Sequence, residues 1–103
     1  MVREDLKPGA QLAQSCHVAL QFREEHPLIA TQWLIESNYI CILNIPDEER
    51  LIDLLDQATS HEIHHSVFKE PDFDNQITAI ALAPGQKSKK LCSQLPLALR
   101  GDK

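Results

Sequence analysis

A chain of 103 residues, 43% hydrophobic and 24% charged, has the size and composition of one folded domain with a modest core, which argues against disorder. No apolar run approaches the roughly 18 residues that span a bilayer. The opening Met1-Val2-Arg3-Glu4-Asp5 lacks the apolar core of a signal peptide. The net charge of −5 argues against broad electrostatic binding of nucleic acid, yet it is unevenly spread: residues 1–84 carry five Lys/Arg against fourteen Asp/Glu, and residues 85–103 carry five against one. A polyphosphate partner is therefore expected to meet the end that holds Lys87, Lys89 and Lys90.

Residues 2–6 allow a first strand, but a very short one. After the Pro8-Gly9 turn, small or apolar residues recur at Leu12, Ala13, Cys16, Ala19 and Leu20, which predicts a helix over about 10–25 with that stripe facing the core. Pro27 suits the first position of a second helix, in which Leu28, Ile29, Trp33 and Ile35 supply bulk before it stops near Ser37-Asn38. Tyr39 to Ile45 is nearly continuous in apolar residues and predicts the strongest strand, covered on both faces. Asp47, Glu48 and Glu49 then place negative charge where a helix dipole favours it, and Leu51, Ile52, Leu54, Leu55 and Ala58 form that helix's buried face.

A short strand around His64–Lys69 precedes a Pro/Asp-rich loop, Glu70 to Asn75. Gln76 to Leu82 is the second clear strand, ended by Pro84-Gly85, and Lys87 to Ser93 predicts a short last helix. The alternation of elements over residues 1–103 predicts a single α/β domain, a sheet with helices on its faces.

Cys16, Cys41 and Cys92 are odd in number, widely spaced and never C-x-x-C, which argues for reduced thiols in a cytosolic protein. Cys16 is expected to pack as a small hydrophobe, and Cys41 to sit inert inside the best strand. His61-Glu62-Ile63-His64-His65 matches the zinc-protease string H-E-x-x-H, which binds metal only on a helix, where both histidines share a face. Glu62 falls where the next buried residue belongs, so a helix-to-strand turn is expected there and no metal site is assigned. For His17, beside the small-residue stripe, the residues alone allow a buried histidine bonded to a carbonyl as well as a functional group. The carboxylates of Glu70, Asp72 and Asp74 lie in a loop at strand ends, where α/β sheets place their sites, though such composition also suits an ordinary polar turn.

Several of these signals share one order. Arg3-x-Asp5-Leu6, followed by Gly9-x-x-x-Ala13-Gln14-x-x-His17-x-Ala19, resembles the opening of the type 2 peptidyl-tRNA hydrolases. Thr78-Ala79-Ile80-Ala81-Leu82-Ala83-Pro84 is similar to the family's last strand, and the likeness, which covers residues 2–84, is nearest to its short divergent branch of domain-containing proteins. The resemblance implies a mixed four-stranded sheet flanked by helices. It also implies hydrolysis of the ester between a peptide and the 3′ ribose of tRNA, without a cofactor. Relatives usually carry several apolar residues ahead of R-x-D-L, where this chain has Met1-Val2, so either a stunted first strand or a start further upstream is expected.

The family assigns the chemistry to a lysine after the glycine, an aspartate after the third strand, and flanking threonines. Carried over, Thr78 matches a threonine, Gln14 and His17 match the helix pair, and Glu70 stands where the aspartate is expected. Ala10 replaces the lysine, with Lys7 the nearest substitute. Glu70, Thr78, His17, Gln14 and Lys7 are thus the expected catalytic set, and Lys87, Lys89 and Lys90 the expected phosphate contacts. The implied partner is tRNA in the cytoplasm, with no membrane, and some relatives dimerise, which leaves a homodimer as an expectation. Because of Ala10, a second reading stays open, a catalytically inactive member that binds tRNA or protein.

Overall fold

The structure is a computed structural model that describes residues 1–100; Gly101 to Lys103, included above in the basic segment and the domain range, lie outside the described residues. In chain order the elements are β1 (Val2–Arg3), α1 (Pro8–Glu25), α2 (Pro27–Glu36), β2 (Asn44–Ile45), α3 (Glu48–Ser60), β3 (His65–Glu70), a 3₁₀ turn (Pro71–Phe73), β4 (Gln76–Leu82) and α4 (Gln86–Leu91). The strands form one mixed sheet in the order β2-β1-β4-β3. β1 runs parallel to β2 and antiparallel to β4, and β3 and β4 form an antiparallel hairpin. The mixed four-stranded sheet, its flanking helices and its short first strand are as expected.

Alternation along β4 sends Ala79 and Ile80 to opposite faces of the sheet. Ile80 joins Ile45, Leu51 and Leu54 in a core under α3, with Val67, Ile77, Leu82 and Leu91 packed around it. Ala79 joins Val2 and Val18 in a second core under α1, with Leu6, Phe68 and Ala81 beside it. The start of α3 follows from its residues. The Asp47 side chain accepts from the Arg50 N–H at 2.9 Å, and Glu48 and Glu49 occupy the first turn. Its buried residues Leu51, Leu54 and Ala58 keep helical spacing, whereas Ile52, expected on that face, is turned outward.

The β3–β4 register contains one irregularity that positions everything below. Phe68 pairs with Ala79, but Lys69 pairs with Ile77, so Thr78 is the extra residue of a β-bulge. Without the bulge Thr78 would share the face of Ile80. With it, Thr78 faces α1, and Ile77 rejoins the core under α3.

Three expectations are corrected here. The buried face of α1 is Gln11, Gln14 and Val18, while Leu12 is 54% and Leu20 69% exposed, and Cys16 is exposed. That face is turned about half a turn from the apolar stripe, because the sheet beneath offers bonds to polar groups. Second, the strand expected over Tyr39 to Ile45 shrinks to Asn44–Ile45, and Tyr39, Ile40 and Cys41 are exposed. A strand needs a hydrogen-bonding neighbour, and β1 offers only Val2 and Arg3. Third, the bulk expected from α2 is not buried: no residue of α2 is, and Leu28 and Ile35 are among the most exposed apolar side chains.

An open apolar cleft of about 1050 Å³ lies between α1, α2, the segment 39–43 and the end of β4, with Val18, Phe22, Trp33, Leu34, Ile40 and Leu82 among its walls. Among the described residues, no helix is long and apolar enough to cross a membrane.

The turned face of α1 is directly testable. Leu51→Ala, at a fully buried position, is expected to cost about 2–5 kcal/mol in urea unfolding. Leu20→Gln, within the apolar stripe of the sequence, is expected to change stability by no more than about 0.5 kcal/mol. A large loss for Leu20→Gln would contradict the face described.

Candidate functional site

The site is built by two periodicities that meet. On β3, Ser66, Phe68 and Glu70 alternate onto the face toward α1. On α1, Gln14, His17, Gln21 and Glu25 recur every three or four residues along one side. Because α1 runs antiparallel to β3, they match in sequence. The Gln14 amide meets Glu70, His17 meets Phe68, Gln21 Nε2 donates to the Val67 carbonyl at 2.8 Å, and Glu25 accepts from the Ser66 hydroxyl at 2.5 Å. His26 continues the series one residue past the helix, with Nε2 at 2.9 Å from the His65 carbonyl.

At the Glu70 end of this seam, three side chains form a chain of hydrogen bonds. Thr78 Oγ1 donates to Gln14 Oε1 at 2.5 Å, and Gln14 Nε2 donates to Glu70 Oε1 at 2.7 Å. The amide's orientation follows from its neighbours. An ionised carboxylate only accepts, so the amide must turn its nitrogen to Glu70 and its oxygen to Thr78. Thr78 is 0% exposed and Gln14 4%, so both are fixed in the core, while Glu70 is only partly buried and ends its strand at the solvent.

The second Glu70 oxygen accepts from the Asp72 backbone N–H at 3.2 Å, closing the 3₁₀ turn. Asp74 and Asn75 turn the chain back with positive φ of 54° and 60°, a conformation their short polar side chains tolerate. The bonds from Gln14 and then from Asp72, with a smaller contribution from the nearby charge of His17, hold the Glu70 carboxyl below its ordinary value of 4.5.

His17 is exposed, not a buried histidine bonded to a carbonyl. Its ring lies against Phe68 with centroids 4.7 Å apart and planes 9° from parallel. Sequence reasoning missed Phe68, although the i, i+2 alternation Phe68–Glu70 puts both on one strand face. Asp72, noted in the sequence for its carboxylate, contributes through its backbone N–H instead, a role that leaves no side-chain signature.

Lys7 stands at the N-cap of α1, on the same end of the sheet as Glu70, about 10 Å along the helix from Gln14. Among the described residues its ammonium makes no hydrogen bond or ion pair to the other four. Ala10, where the family lysine is expected, lies in the first turn of α1.

Lys87, Lys89 and Lys90 lie on α4, which follows β4, and therefore sit at the far end of the hairpin, about 17 Å of strand from Glu70. Lys87 Nζ donates to the His61 carbonyl at 3.2 Å, which ties that end together. The structure thus brings Gln14, His17, Glu70 and Thr78 together, leaves Lys7 near but unattached, and separates the three lysines.

Two alternatives fail on geometry. His61 and Glu62 form a turn after α3, Glu62 has a φ of 57°, and His65 begins β3, so the H-E-x-x-H residues never share a helix face. Among the described residues no group of three or more His, Cys, Asp or Glu is placed to hold a metal ion. The large apolar cleft includes none of Gln14, His17, Glu70 and Thr78. Polar chemistry needs ionisable groups that converge, so the candidate site is the Glu70 end of the α1–β3 seam.

An arrangement of one ionised, solvent-facing carboxylate, held by a buried amide and hydroxyl and flanked by an imidazole, can orient a water and move a proton. No curated protein matches the chain. The family model of peptidyl-tRNA hydrolase PTH2 matches residues 1–97, a span that takes in the amide-bearing helix α1 and the bulged hairpin on which the site is built. A match over nearly the whole chain, on the elements that carry the chemistry, places this protein in the peptidyl-tRNA hydrolase PTH2 family.

Proposed function

We infer that this chain hydrolyses the ester of peptidyl-tRNA in the cytoplasm and returns the tRNA for reuse. The observation that carries the reading is the Thr78–Gln14–Glu70 chain, which holds a carboxylate ionised at the solvent edge of a family fold. Glu70 accepts a hydrogen bond from a water and aims its oxygen at the ester carbonyl. The new bond joins the water oxygen to the carbonyl carbon, and the bond to the ribose oxygen breaks. One water proton passes by way of Glu70 to the ribose oxygen, and the peptide leaves as its carboxylic acid, which then ionises.

The five expected residues divide by their contacts. Thr78 spends its hydroxyl proton on Gln14 and is fully buried, so it positions Gln14 and does not touch substrate. Gln14 positions Glu70. Glu70 and His17 face the solvent and meet the substrate, and Lys7 stands where its ammonium is free to swing toward the developing oxyanion. The lysines of α4 contact backbone phosphates at a distance from the reacting end, as a substrate the size of tRNA permits.

A release assay with labelled peptidyl-tRNA tests the reading. Wild-type protein is expected to exceed buffer clearly at micromolar enzyme and low salt, and Glu70→Gln to lose on the order of a hundredfold or more in kcat/KM. Wild-type protein no faster than buffer sinks the idea.

The pH dependence has a fixed sign. Since Glu70 is held below 4.5, carboxylate-dependent activity is fully present above that value and lost only as pH falls through the lowered one. Gln14→Ala removes the largest cause of the shift and is expected to move the acid limb of kcat/KM to higher pH, and an unmoved limb would refute the assignment.

Replacing Lys87, Lys89 and Lys90 together by Ala should raise KM with little change in kcat. It should also reduce the slope of log affinity against log salt by up to about three, as read from KM at several salt concentrations.

A further inference from the structure

The contact between His17 and Phe68 is not needed to hold the carboxylate, because Gln14 and the Asp72 N–H already do so. Its geometry is nevertheless well defined. The imidazole and phenyl rings are nearly parallel, 9° apart, at a centroid distance of 4.7 Å. Phe68 is packed against the core of Val2, Val18 and Ala79, so its ring is anchored. His17 is an exposed residue on a rigid helix. Since one face of its ring lies on Phe68, the exposure belongs to the edge and the opposite face, and a flat, solvent-facing π surface is left beside Glu70.

We propose that His17, backed by Phe68, is a stacking platform for the terminal nucleobase of the substrate, the third ring of a column Phe68–His17–base. The proposal rests on the ester-hydrolase reading and names the part of the substrate that the site recognises. In that reading the scissile carbonyl is attached to the ribose of the terminal nucleoside, so the base lies one sugar away from the water that Glu70 aims. His17 lies one helical turn from Gln14, which holds Glu70, and Phe68 beneath it lies two residues before Glu70 on β3, so the ring stands beside the carboxylate. Stacking on a planar ring tolerates any base and favours the broad face of a purine. A base fixed on His17 also fixes the ribose, and with it the carbonyl, relative to the Glu70 carboxylate, which is orientation supplied by binding away from the reacting bond.

Binding without turnover separates this proposal from the hydrolysis itself. The probe is a short fluorescent single-stranded RNA ending in a 3′ adenosine, with a counterpart whose last sugar lacks a base, titrated by anisotropy at low salt. Wild-type protein is expected to bind the adenosine-ended RNA about tenfold to a hundredfold more tightly than the abasic one. His17→Phe keeps a ring and loses the charge, and it should retain that preference. His17→Ala and His17→Gln lose the ring and should bind both RNAs at the abasic level. His17 is exposed, so none of these variants endangers the fold, whereas Phe68→Leu, which should also reduce the preference, is read only if its unfolding curve matches wild type.

Equal binding of the two RNAs by wild type, or an undiminished preference in His17→Ala, overturns the platform. So does the failure of His17→Phe to retain the preference, which would make the imidazole's charge or hydrogen bonding the cause. A preference in a protein that hydrolyses nothing would keep the platform and remove the esterase reading, and hydrolysis without a preference would do the reverse.

Discussion

One buried amide holds the functional end of this molecule together. Gln14 accepts from Thr78 on β4 and donates to Glu70 on β3, so a single side chain of α1 clamps both strands of the hairpin. A buried amide left unpaired costs about 1–3 kcal/mol, which makes this contact a constraint and not merely a favourable addition. If β4 lacked its bulge, Thr78 would point toward α3, the amide oxygen would be orphaned, and the carboxylate would lose its fixed donor.

The same logic explains why α1 buries glutamines while its leucines stay in water. Gln11 donates to the Leu6 carbonyl at 2.8 Å and accepts from Asn44 at 2.8 Å, Gln21 reaches the Val67 carbonyl, and Glu25 takes the Ser66 hydroxyl. Most of these partners, Asn44, Ser66, Val67, Glu70 and Thr78, lie on strands whose pairing sets their positions. Such a seam fixes register more sharply than an apolar one would, because hydrogen bonds are directional and a slip of one residue would leave several buried groups unpaired. Arg3 acts likewise at the sheet's centre, held by Asp5 through two bonds of 2.9 Å and bonded to Gln76 and the Ile77 carbonyl. The pairs Arg3–Asp5 and Gln14–His17, which carry the family resemblance, are thus a strap across the sheet and the two ends of the site.

The molecule is also polarised along its hairpin. At one end a carboxylate, an imidazole and the free ammonium of Lys7 gather, and at the other the lysines of α4 stand in a region of opposite charge balance. An extended, highly charged substrate suits this separation, since phosphate contacts orient and the small polar end reacts. Among the described residues no cation is bonded to Glu70, and Ala10 stands where the resemblance places the family lysine, with Lys7 at the N-cap of the same helix.

Much of the fold was legible in the residues. Punctuation by proline and glycine, the capped acidic start of α3 and the β-rich runs at 65–70 and 76–82 located the elements, because those signals are local and act within a few residues. Two strongly apolar segments misled for one reason. Hydrophobicity records what a segment is able to bury, whereas burial depends on what lies opposite, so Tyr39 to Cys41 stayed exposed where β1 offers no pairing. Leu12 and Leu20 faced water because the sheet received the polar side of α1.

For the site, sequence order carried Gln14, His17, Glu70 and Thr78 as residue types through their resemblance to a family, and could assign them roles only by analogy. Which of them reach the solvent and which are buried holding others was decided by tertiary structure. The antiparallel seam of α1 on β3 joins residues from 41 to 56 positions apart, the stack of His17 on Phe68 falls within it, and the bulge turns Thr78 toward Gln14, 64 positions away. No local pattern specifies such contacts, because they exist only once the strands have paired and the helix has settled on them.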